Sequence, residues 1–160
     1  MKQIASITII VLMFLTACGQ QPGNGTHQKK YPLTKTDTEW KKVLSPTAYQ
    51  IMVERGTERP YHNAYYNNHE KGIYVSAATG EPLFSSDDKY DSGTGWPSFT
   101  KPINNKAVEV VSDNSFGMSR DEIVEAKTGL HLGHVFDDGP KDKGGLRYCM
   151  NSGAFKFIKK

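Results

Sequence analysis

The chain has 160 residues and a mass of 17.8 kDa, the size of one ordinary domain. A hydrophobic content of 37% with 11% aromatic residues excludes wholesale disorder, and a formal charge of +3, dispersed along the chain, gives no indication of a nucleic-acid partner. Two cysteines exclude a disulfide-dense scaffold and any all-cysteine zinc site.

The first 17 residues have the pattern of a secretory signal. Lys2 precedes an almost entirely apolar run, residues 4–17, which is shorter than the about 20 residues that a membrane-spanning helix needs. Leu15-Thr16-Ala17-Cys18-Gly19 then resembles the lipobox of bacterial lipoproteins, whose cysteine is lipidated and becomes the first residue of the mature chain. The alternative is an ordinary signal peptide with a chance cysteine. We predict a signal peptide over residues 1–17 and a lipid on Cys18, which would hold the protein on a bacterial membrane, outside the cytoplasm.

A polar segment follows the predicted lipidation site. Residues 19–30 are rich in glycine and glutamine, lack hydrophobic periodicity and cannot bury enough surface to order themselves. We therefore predict a flexible tether over residues 18–30 and a folded domain over residues 31–160.

The domain begins with signals for two short helices. Thr36-Asp37-Thr38 is a helix start before residues 39–44, and Ser45-Pro46 offers an N-cap with proline at the first position of a helix that extends through Glu54. Short strand-like runs separated by turn clusters follow at residues 73–75, 108–111, 115–118, 131–136, 146–150 and 154–158. Helices first and strands afterwards predict a mainly β, antiparallel domain with a short N-terminal helical segment.

Cys149 is the only cysteine of the predicted domain. Alternate residues of a strand share a face, so we expect Arg147, Cys149 and Asn151 to point together. A guanidinium and an amide beside a thiol favour the thiolate, which is the nucleophilic form. The alternative is a buried structural cysteine, the commoner fate of a lone one.

Two histidines lie in the next motif upstream. His131 and His134 are three apart and would face opposite ways on a regular strand unless Gly133 allows a bulge. They could act as acid and base beside Cys149, bind a metal together with it, or be two ordinary half-buried histidines.

The loop Asp91–Phe99 presents an aromatic side chain. Two glycines and a proline force a loop that carries Trp96. The indole is either a plug in the core or the wall of a pocket for a small apolar group.

Five motifs occur together in the order seen in the B-type methionine sulfoxide reductases. They are Gly56–Pro60, Pro82–Ser86, Asp91–Phe99, His131–Pro140 and Gly145–Ser152. The resemblance extends over residues 40–158. It implies a β-tent fold and the activity of a peptide-methionine (R)-S-oxide reductase, which reduces the R epimer of oxidised methionine in proteins.

The resemblance also implies a role for each site residue. Cys149 matches the nucleophile that becomes a sulfenic acid, and Trp96 matches the residue that packs on the substrate methyl group. Phe136 and Asp138 match further residues of the pocket. The polar residues that orient the sulfoxide oxygen and assist its protonation are matched by His131, His134, Arg147 and Asn151.

The sequence departs from the family pattern in two places. Many members bind a structural zinc with two Cys-x-x-Cys pairs, and the matching positions are Ser76, Thr79, Glu125 and Thr128, so we predict no zinc and no other cofactor. Thr94 stands where many members have the cysteine that resolves the sulfenic acid. We therefore expect an external reductant, either a thioredoxin-like domain or a small thiol.

Two other classes of function compete with this one. An extracytoplasmic metal-binding lipoprotein could use His131, His134 and Cys149, but it would explain neither Trp96 nor the nearby cation of Arg147. A cysteine hydrolase or transpeptidase could use a Cys–His pair. We favour the reductase, acting as a monomer on oxidised methionine in proteins.

Overall fold

The computed structural model describes residues 30–114, 117 and 119–160. The predicted signal peptide, Cys18 and all of the predicted tether except Lys30 lie outside these residues, as does most of the predicted run 115–118. Among the described residues, no helix has the length and apolar character needed to cross a bilayer.

Two short helices open the domain, as predicted. Helix α1 spans Asp37–Val43 and helix α2 spans Pro46–Met52. The hydroxyl of Thr36 accepts a hydrogen bond from the backbone N–H of Glu39, whose carboxylate accepts from the Thr36 N–H in return, which satisfies two donors that a helix start otherwise leaves unpaired. Ser45 caps α2.

Helix α2 ends two residues earlier than the sequence predicts. Arg55 has a positive φ of 58°, so the chain has left the helical conformation before it reaches Gly56. The N–H of Gly56 then donates to the carbonyl of Gln50 and closes the helix end. This turn directs the following segment, which includes Glu58, toward the site.

The remaining chain forms two antiparallel sheets, which confirms the predicted fold class. The smaller sheet has the order β2-β1-β9 and the larger one β3-β4-β8-β7-β6-β5. The strands found in the described residues are β1 Gly72–Ser76, β2 Pro82–Ser85, β3 Lys89–Tyr90, β4 Ser98–Phe99, β5 Val108–Asp113, β6 Arg120–Glu125, β7 His131–Phe136, β8 Arg147–Met150 and β9 Phe155–Lys159.

Aromatic rings join the two sheets. Phe99 of β4 stacks on Phe84 of β2 with ring centroids 4.6 Å apart, and Tyr74 of β1 meets Phe99 edge-on at 5.0 Å. All three are fully buried. Since β4 also pairs with β8, this core holds β8, the strand that carries Cys149, in a fixed place.

Candidate active site

Cys149 lies between two strands of the larger sheet. It pairs with Ser98 of β4 on one side and with His134 of β7 on the other, and its side chain is half-buried. A central strand gives a side chain little freedom, because the backbone hydrogen bonds on both sides fix its direction.

A bulge in β7 brings the two predicted histidines together. His131 pairs with Val124 and Gly133 with Ile123, so Leu132 is an extra residue between two consecutive pairs. The rings of His131 and His134 therefore meet, with centroids 5.3 Å apart. The bulge anticipated from the sequence is present, and the two histidines lie on one face.

Gly133 permits the close approach of β8. A Cβ at this position would lie 2.2 Å from the backbone oxygen of Cys149 and 2.8 Å from the side chain of Met150. Any other residue would push the cysteine strand away from the histidine strand.

His131 is held by buried partners. Its Nδ1 lies 2.7 Å from a carboxylate oxygen of Glu122, which also accepts from Arg55. A carboxylate only accepts, so Nδ1–H donates to it, and Nε2 lies 3.4 Å from the side-chain amide nitrogen of Asn151. The same amide donates to the carbonyl of Leu132 at 3.2 Å. The ring and the amide are thus mutually oriented.

His134 faces a different carboxylate. Its Nε2 lies 2.9 Å from Asp113, and Arg120 donates to the same oxygen at 2.7 Å. Burial lowers the pKa of His134, and the hydrogen bond with Asp113 works against that shift. The net downward shift favours the neutral form of this side chain.

Arg147, Asp138 and Phe136 form one unit beside the thiol. The guanidinium of Arg147 donates two hydrogen bonds to the carboxylate of Asp138, at 2.7 and 2.8 Å, and its central carbon lies 4.3 Å from the centroid of the Phe136 ring. The hydrogen bond from Arg147 lowers the pKa of Asp138. The carboxylate holds one edge of the guanidinium and the Phe136 ring lies against one of its faces, so the cation stays next to Cys149.

The environment of Cys149 raises the pKa of its thiol, whereas the sequence predicted surroundings that favour the thiolate. The charge of Arg147 and a hydrogen bond from the Thr94 hydroxyl lower the pKa of the thiol, as expected for an electropositive setting. Burial raises it by more, so the net shift is upward. The expectation of a site that favours the thiolate overall was therefore wrong, because it could not include burial.

Trp96 is half-buried and tied down at its nitrogen. The indole N–H donates to the backbone carbonyl of Glu58 at 3.1 Å. Its neighbour Gly95 has a φ of +86°, and a Cβ there would lie 2.7 Å from the backbone nitrogen of Tyr61. The indole thus has a fixed pose with part of its surface open to solvent, as the wall of a pocket requires.

Comparison with known proteins decides the family. Residues 44–159 match the family model of the SelR domain, and the match lies within the predicted domain. The chain is also 52% identical, over 129 residues, to the peptide methionine sulfoxide reductase MsrB of Leptospira interrogans, an alignment that covers 81% of this chain and 98% of that protein. The chain belongs to the MsrB family of peptide methionine sulfoxide reductases.

Membership of the MsrB family confirms the resemblance to the B-type methionine sulfoxide reductases that the five motifs indicate. The enzyme class predicted from them, a thiol-dependent oxidoreductase acting on methionine sulfoxide, is confirmed as well. The metal-binding alternative finds no support: among the described residues, no three His, Cys, Asp or Glu side chains form a group that could hold a metal ion. The roles of the individual site residues stay predictions.

The positions of the family's zinc cysteines contain a hydrogen-bonded cluster. Glu125 is fully buried, and its two carboxylate oxygens accept from the hydroxyls of Thr79 and Thr128, the latter at 2.7 Å. The hydroxyl of Ser76 accepts from two backbone N–H groups of its own turn. A structural zinc is bound mostly by cysteine and histidine side chains. Three hydroxyls and a carboxylate that already accepts two hydrogen bonds do not match those ligands.

Four residues near the site were missed by sequence reasoning. Asp113 and Glu122 orient the histidines, Arg120 pairs with Asp113, and Glu58 supports Trp96. The only available signal for Glu122 was the run of charged residues Arg120–Glu122 that precedes the histidine motif in sequence. Glu58 lies in the motif Gly56–Pro60, which marked its segment but not its contacts, whereas Asp113 lies outside the five motifs and gave no signal.

Proposed function

We propose that the protein reduces the R epimer of methionine sulfoxide in proteins, with Cys149 as the nucleophile. The observation that carries the proposal is the convergence of the side chains that match the family's site. The β7 bulge places His131 and His134 on one face, and Arg147 lies beside Cys149 on the adjoining strand. Family membership supports the same reaction.

The chemical step transfers an oxygen atom from one sulfur to another. Cys149 attacks the sulfoxide sulfur and forms an S–S bond to it. The oxygen then moves to the sulfur of Cys149 as the substrate S–O bond and the new S–S bond break, which leaves a sulfenic acid on Cys149 and releases methionine. The substrate sulfur gains two electrons and the cysteine sulfur loses two. A proton that a side chain lends to the oxygen stays there as the sulfenic O–H, and the thiol proton of Cys149 replaces it on that side chain, so no further co-reactant is required.

A sulfoxide is a poor electrophile until its oxygen is protonated or hydrogen-bonded. We assign that task to His131, His134, Arg147 and Asn151. Glu122 accepts from Nδ1–H of His131 and thereby turns Nε2 of this ring toward Asn151. Trp96 packs on the methyl group and Phe136 completes the pocket, with Asp138 holding Arg147 in place.

The sulfenic acid is re-reduced by an external thiol. Thr94, at the family's resolving position, is close enough for its hydroxyl to hydrogen-bond to Cys149, but a hydroxyl cannot form a disulfide. Cys149 is the only cysteine among the described residues. The thiol of a thioredoxin-like domain or of a small molecule therefore attacks the sulfur of the sulfenic acid and displaces water. A second external thiol then cleaves the resulting mixed disulfide and restores the thiol of Cys149.

The sequence of the first 18 residues supports an anchored enzyme. We propose that Cys18 is lipidated and that the monomeric domain acts outside the cytoplasm at a bacterial membrane. Incorporation of a labelled fatty acid into the wild-type chain, and its loss in Cys18→Ser, tests this. Equal labelling of both chains, or of neither, would exclude the anchor.

A stereospecific turnover assay tests the reaction. Peptides with either the R or the S sulfoxide are incubated with the protein and dithiothreitol, and methionine is measured. Only the R peptide should be reduced. Reduction of the S peptide, or thiol consumption that does not depend on a sulfoxide, would contradict the proposal.

A further inference from the structure

Glu58 contacts the site in three ways through one short stretch of chain. Its backbone carbonyl accepts from the indole N–H of Trp96 at 3.1 Å, and its backbone N–H donates to the side-chain oxygen of Asn151 at 3.3 Å. Its carboxylate accepts from the backbone N–H groups of Ser152 and, at 3.1 Å, Gly153. No other role has been assigned above to this side chain.

Asn151 occupies an N-cap position without acting as a cap. It precedes the 3₁₀ helix Ser152–Ala154, yet its side chain makes no capping hydrogen bond. Asparagine at such a position ordinarily accepts from the second or third N–H of the helix. Here its oxygen is engaged by Glu58, and its NH₂ group reaches His131 and Leu132.

The carboxylate of Glu58 takes over the capping. It accepts from the first two N–H groups of the 3₁₀ helix, and the second of them, on Gly153, is one that an N-cap asparagine ordinarily satisfies. Burial raises the pKa of Glu58, and the hydrogen bonds from these two N–H groups offset part of that rise by stabilising the carboxylate. A turn capped by its own asparagine would avoid that burial, but the amide would leave the site.

We propose that Glu58 is a positioning residue of the reductase reaction. By capping the 3₁₀ helix that follows Cys149 in place of Asn151, Glu58 leaves the Asn151 side chain turned toward His131. The same residue holds the Trp96 ring through its carbonyl. The expected effect of Glu58 on turnover rests on the proposed function, whereas its effect on the orientation of Asn151 does not.

A double-mutant cycle tests the coupling to Asn151. Turnover of an R-sulfoxide peptide with dithiothreitol is measured for the 160-residue chain, Glu58→Gln, Asn151→Ala and the double variant. Since displacement of a reacting group by about 1 Å costs up to about 100-fold, we expect Glu58→Gln to lower kcat/KM about tenfold in the wild-type background. In the Asn151→Ala background the same change should cost less than about twofold, because the group it positions is gone.

Glu54→Gln is the matched control, since Glu54 is an exposed glutamate four residues away. Glu58→Asp keeps the charge and shortens the side chain by one methylene. It replaces Glu58→Gln in the cycle if Glu58→Gln does not fold. A merely structural role predicts equal losses in both backgrounds, and that result would overturn the proposal. A loss no greater than that of Glu54→Gln would also overturn it.

The side-chain amide of Asn151 gives an independent readout. In protein labelled with ¹⁵N-asparagine, its NH₂ resonances are identified by their loss in Asn151→Ala. We expect their hydrogens to exchange slowly in the wild type and at least about tenfold faster in Glu58→Gln. Unchanged exchange would refute the positioning role. If wild-type protein fails to reduce the R peptide, the proposed function falls, and this measurement still decides the orientation.

Discussion

Nδ1 of His131 lies 2.7 Å from a carboxylate oxygen of Glu122, and the two side chains are 2% and 1% exposed. The only other partner of this carboxylate among the described residues is Arg55, whose own side chain is half exposed. A buried carboxylate thus fixes the ring orientation of a buried histidine, and the guanidinium of Arg55 reaches the same carboxylate from the surface.

Replacing that carboxylate should damage both stability and catalysis. Glu122→Gln leaves the Arg55 guanidinium and the His131 N–H competing for one amide oxygen, so we expect a loss of about 1–3 kcal/mol in the free energy of unfolding. The kcat should fall while KM changes less, because the orientation of a proton-holding group is lost. Urea unfolding and steady-state kinetics measure the two effects, with Glu54→Gln as the control. Unchanged kcat in a folded variant would remove His131 from the mechanism.

Cys149→Ser should abolish reduction and leave the fold intact. A hydroxyl is a much weaker nucleophile than a thiol that ionises in part, and serine occupies nearly the same volume. Turnover of the R peptide and circular dichroism are measured on the same preparation. Residual turnover in a well-folded variant would eliminate Cys149 as the nucleophile.

Trp96→Ala should impair catalysis more than stability, because its ring shapes the methyl pocket rather than the core. We expect kcat/KM to fall by about 100-fold. Trp40, which is 4% exposed, is the matched control: Trp40→Ala should instead lower the free energy of unfolding by about 3–5 kcal/mol. A large loss of stability in Trp96→Ala with near-normal turnover would show that its ring is a core plug.

Thr94→Cys should introduce a disulfide into the catalytic cycle. After one turnover, wild-type Cys149 should be a sulfenic acid that dimedone traps, whereas the variant should form a bond between the new thiol and Cys149. Mass spectrometry distinguishes a dimedone adduct from the loss of two hydrogens. Wild-type protein that gives neither a dimedone adduct nor a mixed disulfide would contradict this account of regeneration.

The alkylation of Cys149 should depend on pH in a way set by burial and Arg147. Because burial raises the pKa of Cys149, the rate of reaction with iodoacetamide should climb with pH to a midpoint above that of an ordinary thiol. Arg147 lowers this pKa, so Arg147→Met should move the midpoint to still higher pH. Lys156→Met, which removes an exposed cation, should leave it in place. A midpoint that falls in Arg147→Met would refute the assignment.

The strand pattern of this chain was predictable only where its residues are apolar. Runs such as His131–Phe136 were placed from sequence with the bounds that the structure shows. Strand β6 was missed because Arg120–Glu125 is mostly charged, and nothing in the sequence tells that Glu122 and Glu125 are buried with partners distant in sequence.

The catalytic side chains themselves follow from motifs, while their supports do not. Cys149 and Arg147 lie in one motif, so the sequence already places them side by side. The partners Asp113 and Glu122 come from segments outside the five motifs. Glu58 lies in the motif Gly56–Pro60, but its contacts with Trp96 and Asn151 depend on the tertiary fold. The upward shift in the pKa of Cys149 escaped prediction for the same reason, since burial is a property of the folded chain.

The buried carboxylate of Glu125 joins the turn between β1 and β2 to the turn between β6 and β7, through the hydroxyls of Thr79 and Thr128. Relatives that fasten this junction with zinc thiolates expose it to the oxidants that generate methionine sulfoxide, since thiolates are oxidised and then release their metal. Carboxylate and hydroxyl oxygens have no comparable chemistry. Peroxide that reaches this protein can oxidise the sulfur of Cys149 to a sulfenic acid, which a thiol reduces again. The cluster of Glu125, Thr79 and Thr128 contains no sulfur that peroxide could oxidise.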